Sequence, residues 1–340
     1  MTQSYYVACR SRFIDWGHLV ITKYLSCFLI LCSLSIPARG AGLQLLQGPG
    51  LEGAIWYPCS ADPSDVPLGE LAPPAVMSLR GVKDCSISPA KLPLVIFSHG
   101  RGAWFGAHHD TAEALADAGF AVAAINHPGD NANDSSRRDT LSVWGSRPAD
   151  MVRLLNFLLK DWKDRDVVDH DRIGLFGFSL GGYTGLVLAG ANPDTERFAA
   201  RCTSKIGSCA ELHSGASLPS LPRDTRIKAA VLADAALSTA FTQESVKGVQ
   251  IPLQVWRSEL GGYGVDAGGT SRLAGILPGP PEIHVVPADH YAFLAPCSPA
   301  LAEANPRICI DTPPTFDRQA FHRDFDTSVI RFFRKHLVSQ

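Results

Sequence analysis

The sequence lacks the features that mark several large classes of proteins. Its 31 Lys and Arg residues nearly balance 33 Asp and Glu residues, and the net charge of −2 argues against a nucleic acid or an anionic membrane as the main partner. It contains no heptad run, internal repeat, low-complexity tract or P-loop motif. With 46% hydrophobic and 19% charged residues, the 340-residue chain is instead typical of a globular protein with a sizeable core.

A hydrophobic run long enough to span a membrane is also missing near the start. The apolar run at residues 24–36 is too short for a spanning helix, which needs about 20 residues. Arg10, Arg12 and Lys23 precede this run and the small residues of 37–41 follow it, which is the pattern of a signal peptide. We therefore predict a signal peptide over residues 1–40 and no stable membrane span after its removal. An uncleaved anchor is the alternative.

Six of the nine cysteines lie beyond this leader, and an even number in an exported chain is typical of disulfides. They form three couples that are close in sequence, and each couple encloses a polar loop. We predict the disulfides Cys59–Cys85, Cys202–Cys209 and Cys297–Cys309 in a periplasmic or secreted protein. Free thiols are the alternative for some of these residues.

Apolar runs alternate with helical patterns along residues 41–340. Six runs are typical of strands buried on both faces: 92–98, 120–125, 173–178, 227–233, 251–256 and 281–287. Helical patterns lie between and after them at 111–118, 147–160, 182–189 and 321–337. This alternation predicts a single α/β domain with a mostly parallel central sheet and helices on both faces. Two earlier runs, 53–57 and 76–79, are expected to add an antiparallel edge.

Residues 192–226 interrupt this alternation. They are rich in Ser, Pro, Arg and Cys, show no sustained period, and are unusually long for a plain connection. We predict a small lid-like insertion over the functional site, ordered by the Cys202–Cys209 disulfide. A plain surface insertion is the alternative.

The most informative motif is Gly177-Phe178-Ser179-Leu180-Gly181, which joins a predicted strand to a predicted helix. In such a nucleophile elbow, the serine occupies a strained turn that exposes its hydroxyl above the sheet. Flanking glycines are needed because a side chain there would collide with neighbouring elements. We predict that Ser179 is a catalytic nucleophile.

A serine nucleophile needs a base, usually a histidine that a carboxylate orients. In sheets of this kind the chain order is Ser, then Asp or Glu, then His. His290 lies just beyond the last predicted strand, so a loop can bring it over Ser179. Four other histidines after Ser179 are less suitable because they lie in the insertion, in a strand or in the last helix: His213, His284, His322 and His336.

The acid has three candidates. The usual position after the strand ending at Trp256 holds no carboxylate, since Leu260-Gly261-Gly262 stands there. Asp234 ends the preceding strand, and the carboxyl ends of the strands form the ligand face of such a sheet. We favour Asp234 over Glu259 and Asp266. The alternative role of Asp234 is a helix cap.

The oxyanion that forms in such a reaction needs at least two aligned donors. We predict the backbone N–H of Leu180, directly after the nucleophile, and the backbone N–H of Arg101, in the glycine-flanked loop after the first buried strand. His99 in this loop is expected to brace the backbone. Five aromatic residues flank the predicted site and are candidates for an acyl pocket or for ordinary core: Trp104, Phe105, Phe178, Tyr291 and Phe293.

No metal site is predicted. The run His108-His109-Asp110 contains ligand types, but adjacent histidines at a helix start point in different directions, and no third ligand is suitably spaced. The predicted mechanism requires no cofactor either.

Five segments carry a family resemblance: 97–100 (FSHG), 126–130 (NHPGD), 146–150 (SRPAD), 177–182 (GFSLGG) and 290–297 (HYAFLAPC). In these segments the chain, from about Ala54 to its end, resembles the exported α/β-hydrolases called predicted dienelactone hydrolases, which are related to platelet-activating-factor acetylhydrolases. The resemblance implies an α/β-hydrolase fold and serine hydrolysis. It favours Asp234, because the acid of the acetylhydrolases ends the strand before the usual position. True dienelactone hydrolases have a cysteine nucleophile in place of Ser179, which argues against dienelactone as the substrate.

Together these patterns predict a secreted or periplasmic serine esterase that cleaves a small or medium ester through an acyl-enzyme. Ser179, His290 and Asp234 are its predicted triad. An amidase or thioesterase with the same triad is the alternative among enzymes. A non-catalytic binding member of the fold is the alternative outside them.

Overall fold

A ten-stranded sheet organises the part of the chain that the computed structural model describes, residues 40–87 and 90–339. The predicted signal peptide, apart from Gly40, lies outside these residues. The strands, in chain order, are β1 (Gly42–Leu46), β2 (Gly53–Tyr57), β3 (Ser64–Pro67), β4 (Ser78–Lys83), β5 (Leu92–Ser98), β6 (Ala121–Ile125), β7 (Val168–Phe178), β8 (Ile227–Ala233), β9 (Leu253–Ser258) and β10 (Glu282–Val286).

The sheet order is β10-β9-β8-β7-β5-β6-β2-β1-β4-β3. The strands from β10 to β6 pair in parallel, and β2 then joins β6 in the antiparallel direction. Beyond β2, β1 pairs with β2 in the antiparallel direction, β4 pairs with β1 in parallel, and β3 pairs with β4 in the antiparallel direction. The predicted mostly parallel sheet with an antiparallel edge is therefore confirmed.

Helices cover both faces of this sheet. They are α1 (His109–Asp117), α2 (Leu141–Lys160), α3 (Leu180–Ala189), α4 (Thr195–Ala199), α5 (Gly207–His213), α6 (Ala267–Ile276), α7 (Pro299–Ala304) and α8 (Arg318–Phe333). Within residues 40–87 and 90–339, none of them combines the length and apolarity that a membrane crossing requires.

The alternation of side chains along each strand divides the core into two layers. In β5, Leu94 and Ile96 belong to a layer with residues of α2, α3 and α6, whereas Val95 and Phe97 belong to a layer with residues of α1 and α8. All seven residues of β5 are buried, as its continuous apolar run predicts. The central strands therefore pack against helices on both faces. This packing holds the carboxyl ends of the strands, where the candidate site lies, in fixed positions.

Some elements differ from the sequence-based expectation for local reasons. Helix α2 begins at Leu141, six residues before the predicted start, and contains Pro148 in its interior, a residue that usually marks a helix boundary. Helix α6 was missed, because Gly268, Gly269 and Gly275 give it a low intrinsic helix propensity. The short strands β1 and β3 were missed as well.

The insertion 192–226 contains α4, α5 and the Cys202–Cys209 pair. This pair, Cys59–Cys85 and Cys297–Cys309 are each at disulfide distance, as predicted. The amide of Ser208 donates to the Asp139 carbonyl (2.6 Å), and the Leu141 amide donates to the Glu211 carboxylate (2.6 Å). The insertion therefore packs against the start of α2, and its lid-like role stays a prediction.

Candidate active site

Three neighbouring strands end together at one edge of the sheet. In the register of β5 with β7, Ser98 lies opposite Gly177, and in that of β7 with β8, Phe178 lies opposite Ala233. The residues that follow these ends, among them Ser179 and Asp234, are consequently neighbours. Carboxyl ends of parallel strands are the usual ligand face of α/β sheets.

Ser179 occupies a strained turn between β7 and α3. Its backbone has φ +56° and ψ −117°, a conformation that non-glycine residues rarely adopt. The turn is held by hydrogen bonds from the Ser179 amide to the Ala233 carbonyl (2.9 Å) and from the Ala236 amide to the Ser179 carbonyl (2.9 Å). A side chain at Gly181 would clash with the Ser98 carbonyl oxygen, so glycine is required there.

Ser179, His290 and Asp234 form one hydrogen-bonded chain, which we call the outer row. His290 Nε2 lies 2.9 Å from Ser179 Oγ, and His290 Nδ1 lies 2.6 Å from Asp234 Oδ2. A carboxylate can only accept, so Nδ1 carries the proton in this contact and Nε2 is left to accept from the serine hydroxyl. The structure thus brings together the three residues predicted from the sequence.

The imidazole of the outer row is held from several sides. His290 opens a 3₁₀ turn, His290–Phe293, that the Asp289 carboxylate caps by accepting from the Tyr291 amide (3.0 Å). The His290 amide donates to the Gly261 carbonyl (2.9 Å). Its ring stacks on Phe178 with the centroids 4.6 Å apart and the planes 23° apart. These contacts leave the ring little freedom to rotate away from Ser179.

Asp234 is fully buried and is held by a residue that the sequence analysis missed. Ser258, at the end of β9, donates its hydroxyl to Asp234 Oδ2 (2.6 Å) and its amide to Asp234 Oδ1 (3.1 Å). The Ser258 hydroxyl in turn accepts from the Gly261 amide (3.1 Å). The sequence contained one indication of this role. Ser258 is a polar residue at the end of β9, the strand after which the usual carboxylate is missing.

The competing acids and bases lie elsewhere. Glu259 is exposed, and Asp266 caps α6 by accepting from the Gly269 amide (2.6 Å). His284 stacks on Trp256 with the ring centroids 4.0 Å apart. Neither acid forms a hydrogen bond to His290 within the described ranges.

The loop after β5 lies directly against the predicted nucleophile. A Cβ added to Gly100 would be 3.2 Å from the Ser179 Cβ. Among the described residues, the adjacent Arg101 amide donates to no acceptor. Leu180 is the first residue of α3, and N–H groups of a first helical turn have no acceptor inside the helix. In the part of the chain that the structure describes, both predicted oxyanion donors therefore lack an acceptor, and their role stays a prediction.

A buried ion pair fastens this loop at two points. Asp130 accepts from the Gly102 amide through Oδ1 (2.9 Å) and from Arg147 Nη1 through Oδ2 (2.7 Å). Arg147 also donates through Nη2 to the His99 carbonyl. The side chains of Arg147 and Asp130 are 0% and 1% exposed. Burial lowers the pKa of Arg147, and the charge of Asp130 opposes that shift.

A second Ser–His–Asp chain, the inner row, lies beside the first. His127 Nε2 is 2.9 Å from Ser98 Oγ, and His127 Nδ1 is 3.0 Å from Asp150 Oδ2. His99 connects this row to the loop, since its Nε2 accepts from the His127 amide (3.2 Å) and its Nδ1 donates to the Gly100 carbonyl (2.7 Å). His99 thus contacts backbone, as a bracing residue does.

The histidines of this inner region are neutral for an electrostatic reason. Burial, followed by the positive charge of Arg147, holds the pKa of His99 and of His127 well below the ordinary value. Both residues lie in segments that carry the family resemblance, 97–100 and 126–130, but the linear sequence does not indicate the contact between them.

Four of the five candidate pocket residues lie in the core layer of α1 and α8, and Tyr291 packs against that layer. Phe105 and Phe293 are 2% and 0% exposed and lie in the core layer of α1 and α8, so the alternative of ordinary core describes them. Trp104 packs edge-on against Phe105 with the centroids 5.0 Å apart. Phe178 supports the His290 ring. Tyr291 is half-buried and stacks on Tyr263, with the ring centroids 3.7 Å apart.

Helix α8 supplies partners for Asp110 that spacing in the sequence did not indicate. The ligand-type atoms of Asp110, His322 and Asp326 all lie within 4.8 Å of one another, which corrects the expectation that no third group is available. His322 Nδ1 pairs with Asp110 Oδ2 at 2.6 Å, and Thr111 donates to Asp326 (2.7 Å). Burial and the charge of Asp110 raise the pKa of Asp326 to about 7. The His322–Asp110 ion pair and the Thr111–Asp326 hydrogen bond join α1 to α8 at this cluster.

Comparison with known proteins identifies the fold. A family model described as the alpha/beta hydrolase fold matches residues 93–259, from β5 to the end of β9. Among solved structures, the chain is similar to a ferulic acid esterase from Streptomyces cinnamoneus, with a TM-score of 0.55 and 19% identity over 90% of this chain and 92% of that chain. A search of curated proteins returns no match.

The protein therefore has the α/β-hydrolase fold, as its sequence predicted. The matched residues include Ser179 and Asp234, whereas His290 lies beyond them.

Proposed function

We propose that this protein is a serine hydrolase that cleaves carboxylic esters through an acyl-enzyme. The observation that carries the proposal is the outer row, with 2.9 Å between Ser179 Oγ and His290 Nε2 and 2.6 Å between His290 Nδ1 and Asp234 Oδ2. The α/β-hydrolase fold supports it, because in this fold a serine on the strand-to-helix elbow is the usual nucleophile.

In the proposed mechanism, Ser179 Oγ attacks the ester carbonyl while His290 Nε2 takes its proton. Asp234 accepts from Nδ1 and stabilises the imidazolium that forms. The tetrahedral oxyanion accepts hydrogen bonds from the amides of Leu180 and Arg101. As the intermediate collapses, His290 returns the proton to the leaving alcohol, and an acyl-enzyme remains. Water, activated by the same imidazole, then releases the acid, and no cofactor takes part.

We further infer an exported enzyme of the dienelactone hydrolase-like and acetylhydrolase-like branch, acting on a small or medium ester. The leader-like start of the sequence and the three cysteine pairs at disulfide distance support export. The name of the structural neighbour, ferulic acid esterase, favours an ester over an amide or thioester. The same outer row would also cleave an amide or a thioester, so a panel of all three substrate types is needed to separate the three activities.

The test uses the purified, oxidised protein, a fluorophosphonate probe and p-nitrophenyl esters of increasing acyl length. We expect covalent labelling at the peptide that contains Ser179, identified by mass spectrometry, together with ester turnover that the label abolishes. A folded protein that neither takes the label nor cleaves any ester of the panel would favour the non-catalytic binding member.

A further inference from the structure

We propose that Asp130 and Arg147 are positioning residues that hold the Arg101 N–H in the oxyanion-binding orientation. The inference rests on the proposed function and deepens it, because it assigns a role to a buried ion pair that contacts neither Ser179 nor His290. We call the pair the loop clamp.

The segment under the clamp is a tight turn that glycine makes deformable. The Ala103 amide donates to the Gly100 carbonyl (3.2 Å), which closes a four-residue turn with Arg101 in its centre. Gly102 has φ +62°, a left-handed conformation that side chains disfavour. A turn with two glycines has many accessible conformations when it is unrestrained. Some other contact must therefore select the one in which the Arg101 amide faces the oxyanion.

The clamp holds this turn on both sides of Arg101. Arg147 donates to the carbonyl of His99, which precedes the turn, and Asp130 accepts from the amide of Gly102, which follows Arg101 directly. The two side chains bind each other at 2.7 Å. One rigid charge pair therefore fixes both ends of the segment that carries the donor.

The clamp also has a rigid base. Arg147 lies within α2, whose apolar face packs in the core, and the Arg147 side chain is fully buried. A second guanidinium lies nearby, with Arg138 Nε 3.8 Å from Asp130 Oδ1, an ion pair without a hydrogen bond. Three groups, the Gly102 amide and the guanidiniums of Arg147 and Arg138, thus surround the buried Asp130 carboxylate and restrict its orientation.

Stability alone does not account for such a pair. Taking two charges out of water costs about as much as their attraction returns, and apolar residues of similar size often replace a buried pair without loss of stability. The hydrogen bonds to the loop are what apolar replacements could not reproduce. This difference makes the positioning role separable from a folding role by experiment.

The decisive variant is the double substitution Asp130→Leu with Arg147→Met, which removes both charges together and leaves neither uncompensated. The single variant Arg147→Lys is tested beside it. Lysine keeps the charge but lacks the planar guanidinium that donates to Asp130 and to the His99 carbonyl at the same time. Asp169→Asn is the control, since it removes an ion pair with Arg172 (2.7 Å) in the first residues of β7, at the ends of the strands opposite to the site.

Four quantities are measured on the full-length oxidised protein: the active fraction by fluorophosphonate titration, kcat per active site and KM with p-nitrophenyl acetate, and the inhibition constant of a trifluoromethyl ketone. Loss of one oxyanion donor costs about 10²–10³ in kcat, so a displaced donor should cost about tenfold or more. We expect that decrease in kcat with KM changed less than twofold, and a parallel weakening of the ketone, which mimics the tetrahedral state. The control should change neither.

A purely structural role gives a different result. It would lower the active fraction or the melting temperature and leave kcat per active site and ketone affinity within about twofold of wild type, which would overturn the inference. Failure of the proposed function is a distinct outcome, because wild-type protein would then show neither turnover nor labelling of Ser179.

Discussion

The outer and inner rows have the same three residue types in the same hydrogen-bonded order, and their serines stand at the ends of two adjacent strands, β7 and β5. Their distances are alike: 2.9 and 2.6 Å in the outer row, 2.9 and 3.0 Å in the inner row. Their serines differ in backbone, since Ser179 lies on a turn with φ +56° and Ser98 is the last residue of β5. Hydrogen-bond geometry alone therefore does not distinguish a nucleophile from a structural serine.

Access and charge distinguish them. Ser98 and His127 are 0% exposed, whereas Ser179 is 7% exposed at the ligand face of the sheet. Burial and the charges of Arg147, Arg153 and Arg137 hold the pKa of His127 well below its ordinary value, so it is a poor proton acceptor. The inner row connects β5, the loop after β6 and α2, whereas the outer row is the one that we propose to react.

The largest contrast is expected between the two serines. Ser179→Ala should lower kcat for p-nitrophenyl acetate by about 10⁶-fold, because the nucleophile is lost. Ser98→Ala removes one buried hydrogen bond and should retain at least about a tenth of the activity. Steady-state kinetics on both variants, with melting curves to verify folding, check the pair. Equal losses in folded proteins would mean that the two rows had been assigned wrongly.

The carboxylates should differ almost as strongly. Asp234→Asn should lower kcat by about 10⁴-fold, as the loss of the orienting carboxylate does in serine proteases. Asp150→Asn should lower the melting temperature and change kcat by less than about tenfold, because the Asp150 carboxylate binds His127 and Arg153 and makes no hydrogen bond to the outer row within residues 40–87 and 90–339. If Glu259→Gln or Asp266→Asn produced the larger decrease in kcat, Asp234 would not be the acid.

A smaller effect is expected from the partner of the acid. Ser258→Ala removes the 2.6 Å hydrogen bond to Asp234 while the backbone contact remains. We expect a decrease of about tenfold in kcat, since a hydrogen bond to a charged group is worth about 1.5–3 kcal/mol. Ser258→Thr keeps the hydroxyl and serves as the matched control. A decrease of the same size in the threonine variant would point to packing instead of the hydrogen bond.

The comparison also explains what could be read from the sequence. Ser179 is found in a five-residue motif because the elbow is a local structure, and the strands flanking it come from continuous apolar runs. His290 and Asp234 follow from the order of strands, since residues after parallel strands meet at one edge. These predictions need only topology, which the alternation of strands and helices supplies.

Contacts between distant segments were not accessible in that way. Ser258 and the inner row depend on the register of β5, β7, β8 and β9 and on the position of α2, none of which a linear pattern specifies. The start of α2 was placed too late because Pro148 is tolerated inside it. The cluster of Asp110 with α8 joins residues more than 200 positions apart, so no spacing rule could reveal it.

A pH dependence of stability is also expected, and it comes from the inner region. The pKa values of His99 and His127 are depressed in the folded state, so the unfolded chain binds protons more tightly as the pH falls below about 6.5. Stability should therefore decrease between pH 7 and pH 5, by up to about 1.4 kcal/mol per pH unit for each histidine. His127→Gln cannot titrate, and its melting temperature should fall less steeply over this interval, whatever its value at pH 7. If the melting temperatures of variant and wild type fell with the same slope, His127 would not contribute to the pH dependence. His290→Gln is the control: it leaves the inner region intact and should retain the slope that His99 and His127 produce.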